Sequence, residues 1–85
     1  MERKIIFEAI KENIQAIIEK TAERDIKESE SMLDYGADSL EIVEVVSRSM
    51  KQLKIKVPRT ELAKATNIGE LVDIFEQYSK STETT

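Results

Sequence analysis

The stretch Asp34-Tyr35-Gly36-Ala37-Asp38-Ser39-Leu40-Glu41-Ile42-Val43-Glu44-Val45-Val46 marks where a long irregular segment gives way to a helix. Gly36 permits a sharp backbone turn, and Asp38 with Glu41 three positions later has the form of an N-cap whose partner carboxylate reaches back. A helix is therefore predicted to start near Ser39. It continues through Leu40, Val43, Val46, Met50 and Leu53 at helical spacing, until β-branched Ile55 and Val57 and then Pro58 end it near Leu53 or Lys54.

Upstream, Ile6, Ile10, Ile14, Ile17 and Ile18 recur at intervals of three and four between Arg3 and about Lys20, which predicts an amphipathic first helix. Residues 21–38 show no sustained period and read as a long loop pinned by Ile26, Met32, Leu33 and Tyr35. Downstream, Thr60 is placed to cap a short helix across Glu61 to Ala65, and Asn67 with Glu70 repeats the capping pattern before Ile68, Leu71, Val72, Phe75 and Tyr78. The expected fold is all-α: three main helices and one short one around an Ile, Leu and Val core, with a long loop between the first two. Residues 1–79 form one domain on this reading, and residues 80–85, which carry no apolar side chain, form a disordered tail.

Composition narrows the chemistry. The chain of 85 residues has 13 basic and 17 acidic side chains, a formal charge of -4, and neither Cys nor His. Imidazole bases, thiolate nucleophiles, disulfides and the common zinc sites are thereby excluded. A chain of this size buries only a little over ~60% of its unfolded surface, which leaves one core and no deep catalytic cavity. The acidic balance disfavours nucleic acid and favours basic protein partners. Charge interrupts the apolar residues of the N-terminus too early for a signal peptide or membrane span, so the expectation is a cytoplasmic protein without a membrane partner.

Ser39 stands at the mouth of the predicted second helix, where unpaired N–H groups and the positive end of the macrodipole favour an anion. A phosphate ester on this short side chain would be held at that helix end. Most Ser and Asp residues at such positions serve only as caps, and a lone Asp-Ser-Leu tripeptide does not overturn that reading. The carboxylate pairs Asp34 with Asp38 and Glu41 with Glu44 are weak candidates for acid and base, because an exposed helical face lacks a pocket to shift their protonation.

The wider segment 34–46 closely resembles the attachment motif of acyl carrier proteins, with its core Gly-x-Asp-Ser-Leu, and the similarity extends from the first helix to Phe75, including Val57-Pro58 and Thr66-Asn67-Ile68. The resemblance implies a four-helix carrier, not an enzyme, bearing 4′-phosphopantetheine on Ser39, with acyl groups carried as thioesters. It implies a phosphopantetheinyl transferase as partner, and contacts to enzymes through Asp38, Leu40, Glu41 and Glu44. Arg48, Lys51, Lys54 and Lys56 depart from the uniformly acidic second helix of housekeeping fatty-acid carriers and imply a specialised partner set, with Arg48 and Lys51 as further candidate partner contacts. Tyr35 replaces the family's usual Leu.

The runs Leu53-Lys54-Ile55-Lys56-Val57-Pro58 and Asn67-Ile68-Gly69-Glu70-Leu71-Val72-Asp73 look like free-standing donor carriers of polyketide β-branching cassettes. That resemblance implies malonyl loaded by an acyltransferase, decarboxylation to acetyl by a ketosynthase-like enzyme, and donation of acetyl to a 3-hydroxy-3-methylglutaryl (HMG) synthase-like enzyme. A general fatty-acid carrier and an unmodified helical interaction module are the alternatives. A monomer is expected, with Phe7, Phe75 and Tyr78 as core or core-edge residues, and with Val43, Val46 and Ile68 able to touch cargo if the helices part.

Overall fold

The isoleucine ladder Ile6, Ile10 and Ile14 forms the fully buried face of α1, Arg3–Ile17, in the computed structural model, which describes residues 2–18 and 25–83. Each such aliphatic side chain contributes about 1.5–3 kcal/mol by leaving water. The helix stops at Ile17, short of the expected Lys20, which lies outside the described residues. Ile18 leaves the helical path with extended backbone (φ -97°, ψ 95°), keeping its N–H on Ile14 O at 2.8 Å and its side chain in the core.

Helix α2, Ser39–Leu53, buries Val45 and Val46 against α1. Lys54 then adopts the left-handed conformation (φ 58°, ψ 39°), and Ile55 N–H reaches Met50 O at 3.0 Å. This closes the helix where the sequence places its end. Ile55 and Val57 point into the core with Lys56 outward between them, the alternation of an extended strand.

Helix α3, Arg59–Leu62, starts before the expected Thr60 cap and stops before Ala65. Pro58 takes the capping place: its fixed φ of -59° suits the entry, and its carbonyl accepts from Glu61 N–H at 3.0 Å and Leu62 N–H at 3.2 Å. Tighter bonds from Lys64 N–H to Glu61 O and from Ala65 N–H to Leu62 O follow, so the expected second half is turn rather than helix. No residue of α3 is buried.

Helix α4, Ile68–Glu83, packs Leu71, Val72 and Phe75 into the centre. Asn67 Oδ1 accepts from Glu70 N–H at 2.8 Å, as expected, but the Glu70 carboxylate reaches one residue further back, to Thr66 N–H at 2.8 Å and Thr66 Oγ1 at 2.6 Å. The helix runs through the first four residues of the expected disordered tail, and Thr84 and Thr85 lie outside the described residues. Neither Gly nor Pro follows Gly69 to break it, and the Ser79 hydroxyl donates to Glu76 O at 2.9 Å within the helix.

Two polar devices fix the arrangement. Buried Asn13 on α1 donates to Ser49 Oγ at 3.0 Å and Gln52 Oε1 at 3.2 Å on α2, while Ser49 donates onward to Val45 O at 2.8 Å. Sliding α1 along α2 by one turn would strand these groups in apolar surroundings. At the other end, Glu30 O and Glu28 O of the loop accept from Ile68 N–H at 3.0 Å and Gly69 N–H at 2.9 Å, supplying acceptors for the first turn of α4. A Cβ on Gly69 would lie 3.2 Å from Glu28 O, so glycine is what lets loop and helix approach this closely.

Arg3 completes the latch by pairing with Glu28 and Asp73 and donating to Gly69 O at 3.3 Å. Partial loss of solvent works against its charge, but the hydrogen bonds and attraction of Glu28 and Asp73 prevail and raise its pKa further.

Asn13→Ala should lower stability by about 1–3 kcal/mol in urea unfolding, since it orphans Ser49 and Gln52 and opens a void. Glu70 is held below its ordinary value of 4.5, first by the Thr66 hydroxyl and then by the Thr66 N–H. A carboxylate lowered in the folded state stabilises the fold above its unfolded pKa, and that contribution is lost as pH falls through the folded value. Urea midpoints followed from neutrality to about pH 3 should therefore decline less steeply for Glu70→Gln than for the wild type.

Candidate functional site

The approach to the site is built by a 3₁₀ helix, Met32–Tyr35, inside the segment expected to be plain loop. Met32, Tyr35 and Ala37 turn into the core, while Leu33 projects outward with 67% of its surface exposed. Two adjacent apolar residues on so tight a helix cannot both face inward, which is why Leu33 does not serve as the expected pin. Gly36 then takes φ 83°, ψ 17°, a conformation that would strain any residue with a Cβ, and its N–H meets Leu33 O at 3.0 Å.

Tyr35 accounts for its own presence. Its ring is 3% exposed, and its hydroxyl donates to Glu30 Oε1 at 2.7 Å and accepts from Lys27 N–H at 3.0 Å. A leucine would fill the same core position but leave the Lys27 amide without this acceptor. The phenol thus ties the incoming loop to the turn that leads into α2.

At that junction the reciprocal cap read from the sequence is present. Glu41 N–H donates to Asp38 Oδ1 at 2.8 Å, Asp38 N–H donates to Glu41 Oε1 at 3.0 Å, and Ile42 N–H closes the first helical turn on Asp38 O at 3.0 Å. The amides of Ser39 and Leu40 take no hydrogen bond among the described residues. Ser39, the first residue of α2, is exposed at this electropositive end.

The serines inside the helices with described side chains, apart from Ser39, lack this combination. Ser49 and Ser79 are buried with their hydroxyls on backbone carbonyls, and exposed Ser47 sits in mid-helix, where no backbone N–H is free. Leu40, beside Ser39, is 81% exposed. Glu44, Arg48 and Lys51 lie exposed along the same helix, so the residues singled out for partner contact all belong to α2 or, in the case of Asp38, to its N-cap. Asp34 accepts from Ser31 N–H at 2.9 Å, and with Asp38 and Glu41 it is engaged in backbone capping rather than poised as acid or base. Among the described residues no cluster of carboxylates is arranged to hold a metal ion.

An apolar groove of about 1000 Å³ lies between α2, α3 and the start of α4, with Met32, Val43, Val46, Met50, Leu62 and Ile68 among its walls and with Leu33 and Leu40 at its edge. The sequence reading required the helices to part before Val43, Val46 and Ile68 became reachable. Val43 is exposed on the groove wall, whereas Val46 and Ile68 are buried, so for these two the parting of the helices is still needed.

The family model described as the phosphopantetheine attachment site matches residues 8–75. The chain belongs to the acyl carrier protein family. Members of this family are non-catalytic carriers with 4′-phosphopantetheine attached covalently to a serine. The carrier is 30% identical over 75 residues to the polyketide biosynthesis acyl-carrier-protein AcpK of Bacillus subtilis, covering 88% of this chain and 92% of the relative. It is 33% identical over 72 residues to an acyl carrier protein of Helicobacter pylori, covering 80% and 92%. A chain in the crystal structure of the curacin biosynthetic pathway HMG synthase in complex with acetyl donor-ACP superposes with a TM-score of 0.81 at 32% identity, covering 88% of this carrier and 96% of that chain. No helix among the carrier's described residues is long and apolar enough to cross a membrane.

Tyr35→Phe removes both hydroxyl contacts while keeping the ring in place. Hydrogen exchange should show the Lys27 amide opening roughly tenfold faster, with urea stability reduced by about 1 kcal/mol.

Proposed function

We propose that Ser39 carries the phosphopantetheine arm and that this carrier serves a polyketide pathway as a stand-alone donor, presenting acetyl derived from malonyl to an HMG-synthase-like enzyme. The observation that carries the donor reading is the likeness, at 32% identity and a TM-score of 0.81, to a chain in a complex whose components are an HMG synthase and an acetyl donor-ACP. The polyketide designation of the Bacillus subtilis relative supports it.

The residues at the head of α2 suit the group. Ser39 Oγ is exposed for esterification, and the free amides of Ser39 and Leu40 face the place where a phosphodiester charge would develop. The Asp38 and Glu41 carboxylates are turned into each other's backbone, which satisfies that end of the helix without using those two amides. When attached, the arm supplies a terminal thiol for thioester chemistry. The chain itself positions, exposes and docks; catalysis is left to its partners.

The proposed partners are a phosphopantetheinyl transferase that installs the arm, an acyltransferase that supplies malonyl, a ketosynthase-like decarboxylase and the HMG-synthase-like acceptor. Burial of an acyl chain in the groove gains about 0.8 kcal/mol per CH₂, so acetyl gains little there and stays available to the acceptor, whereas a long chain would be retained. Asp38, Leu40, Glu41 and Glu44 border Ser39 and form the docking surface on this reading. Its chemistry matches a basic, partly apolar rim around a partner's entrance.

Incubation with coenzyme A, Mg²⁺ and a broad-specificity phosphopantetheinyl transferase should add one arm to the wild type and none to Ser39→Ala by intact mass. Acetyl loaded on the product should then be taken by a β-branching HMG synthase in preference to fatty-acid elongation enzymes. Service to elongation alone would reject the donor role and leave a general fatty-acid carrier.

A further inference from the structure

The outer face of α2 changes sign along its length. Glu41, Glu44, Arg48 and Lys51 follow at intervals of three, four and three, which places them within one sector of about 80° on a helix of 3.6 residues per turn. Glu44, Arg48 and Lys51 are exposed and Glu41 is half-buried. The acidic pair stands next to Ser39, and the basic pair follows seven residues later, about 10 Å down the axis. Glu44 and Arg48 are close neighbours, four residues apart. The centres of the two pairs are nonetheless separated by more than the ~8 Å Debye length at physiological salt, so a partner meets a surface that is acidic at one end and basic at the other.

The basic end is also shaped. A depression of about 540 Å³ is lined by Met50, Ile55 and Val57 together with Lys51, Lys54 and Lys56. Ile55 and Val57 are buried and the three lysines exposed, so the lysines form the rim of an apolar floor. The left-handed Lys54 and the inward anchoring of its neighbours fix the backbone from which two of these cations project. Among the described residues no ion pair engages Arg48, Lys51, Lys54 or Lys56; those present involve Arg3 and Lys64.

We propose that α2 is a two-signed docking stripe whose basic end, Arg48, Lys51, Lys54 and Lys56, seats a carboxylate patch on the enzyme that receives the acyl group. The enzyme's entrance rim is basic where it meets Glu41 and Glu44, and its carboxylates lie about 10 Å further along the docked helix. The opposite signs set the direction in which α2 lies on the partner, and with it the direction from which the arm on Ser39 enters. A partner with a uniformly basic surface is repelled by the distal half. This inference rests on the reading that Ser39 carries cargo to a partner, and it adds what kind of partner surface is selected.

Two measurements test it. In the first, the ¹⁵N-labelled protein is titrated with hexa-aspartate and, separately, with hexa-lysine. Hexa-aspartate should shift the amides of Arg48, Lys51, Lys54 and Lys56, and hexa-lysine those around Glu41 and Glu44. Equal response of Lys4, Lys11 and Lys27 to hexa-aspartate would overturn the proposal. In the second, acetyl transfer to the HMG synthase is compared for wild type, the double variant Arg48→Glu with Lys51→Glu, and the control Lys4→Glu with Lys11→Glu. The double variant should raise KM about tenfold with kcat held, regained when facing carboxylates of the synthase are changed to lysine, while the control stays near wild type.

An equal effect of the control, or a lowered melting temperature without a change in KM, assigns the cations to helix stability or general charge and overturns the proposal. Failure of Ser39 to accept the arm, or of the synthase to take acetyl from the wild type, counts against the function reading, and the peptide map then decides the surface by itself.

Discussion

The reciprocal cap between Asp38 and Glu41 governs the geometry from which everything else follows. Each side chain accepts the other's backbone N–H, so the first turn of α2 is closed at one register and no other. Ser39 is thereby the first helical residue, outside the core, with its own amide and that of Leu40 left over at the positive end of the helix. Shifting the helix start by one residue would rotate Ser39 by about 100° and carry its hydroxyl away from those amides. The exposed serine is thus a consequence of where two carboxylates stop the loop.

The rest of the fold keeps that junction where it is. Gly36 supplies the left-handed turn, Tyr35 holds the loop by its phenol, and the carbonyls of Glu28 and Glu30 fasten the same loop to the start of α4. Arg3 brings α1 to this fastening through Glu28 and Asp73. On the far side, Asn13 and Ser49 set α2 against α1 inside an otherwise apolar core. These tertiary hydrogen bonds converge on the approach to Ser39, while α3, which has no fully buried residue, borders the neighbouring groove. A carrier needs this division, because the anchor point has to be fixed while cargo enters and leaves.

Local patterns made most of this legible in the sequence. The Asp38–Glu41 cap, the start of α2 at Ser39, its end at Leu53 and the inward faces of α1 and α4 rest on short-range spacing and capping chemistry, and the structure shows them. What escaped depended on distant partners. The 3₁₀ helix at Met32–Tyr35 forms because its inward residues find the core, and the approach of Gly69 to Glu28 involves residues 41 positions apart. Pro58 marks a stop for α2 in the sequence pattern, and it also caps α3, since the same fixed φ suits both places. The groove required knowing how α2, α3 and the start of α4 lie against one another. Sign alternation along α2 was visible as composition, but only the exposure of Arg48 and Lys51 and the anchoring of Ile55 and Val57 turned it into a surface.

The most direct test of the central claim is a ¹H–³¹P correlation spectrum of the protein purified from its natural source. A phosphodiester signal coupled to the β protons of Ser39, and to those of no other serine, is the predicted result. A phosphorus signal coupled to a different serine, or a fully bare Ser39, would contradict the account.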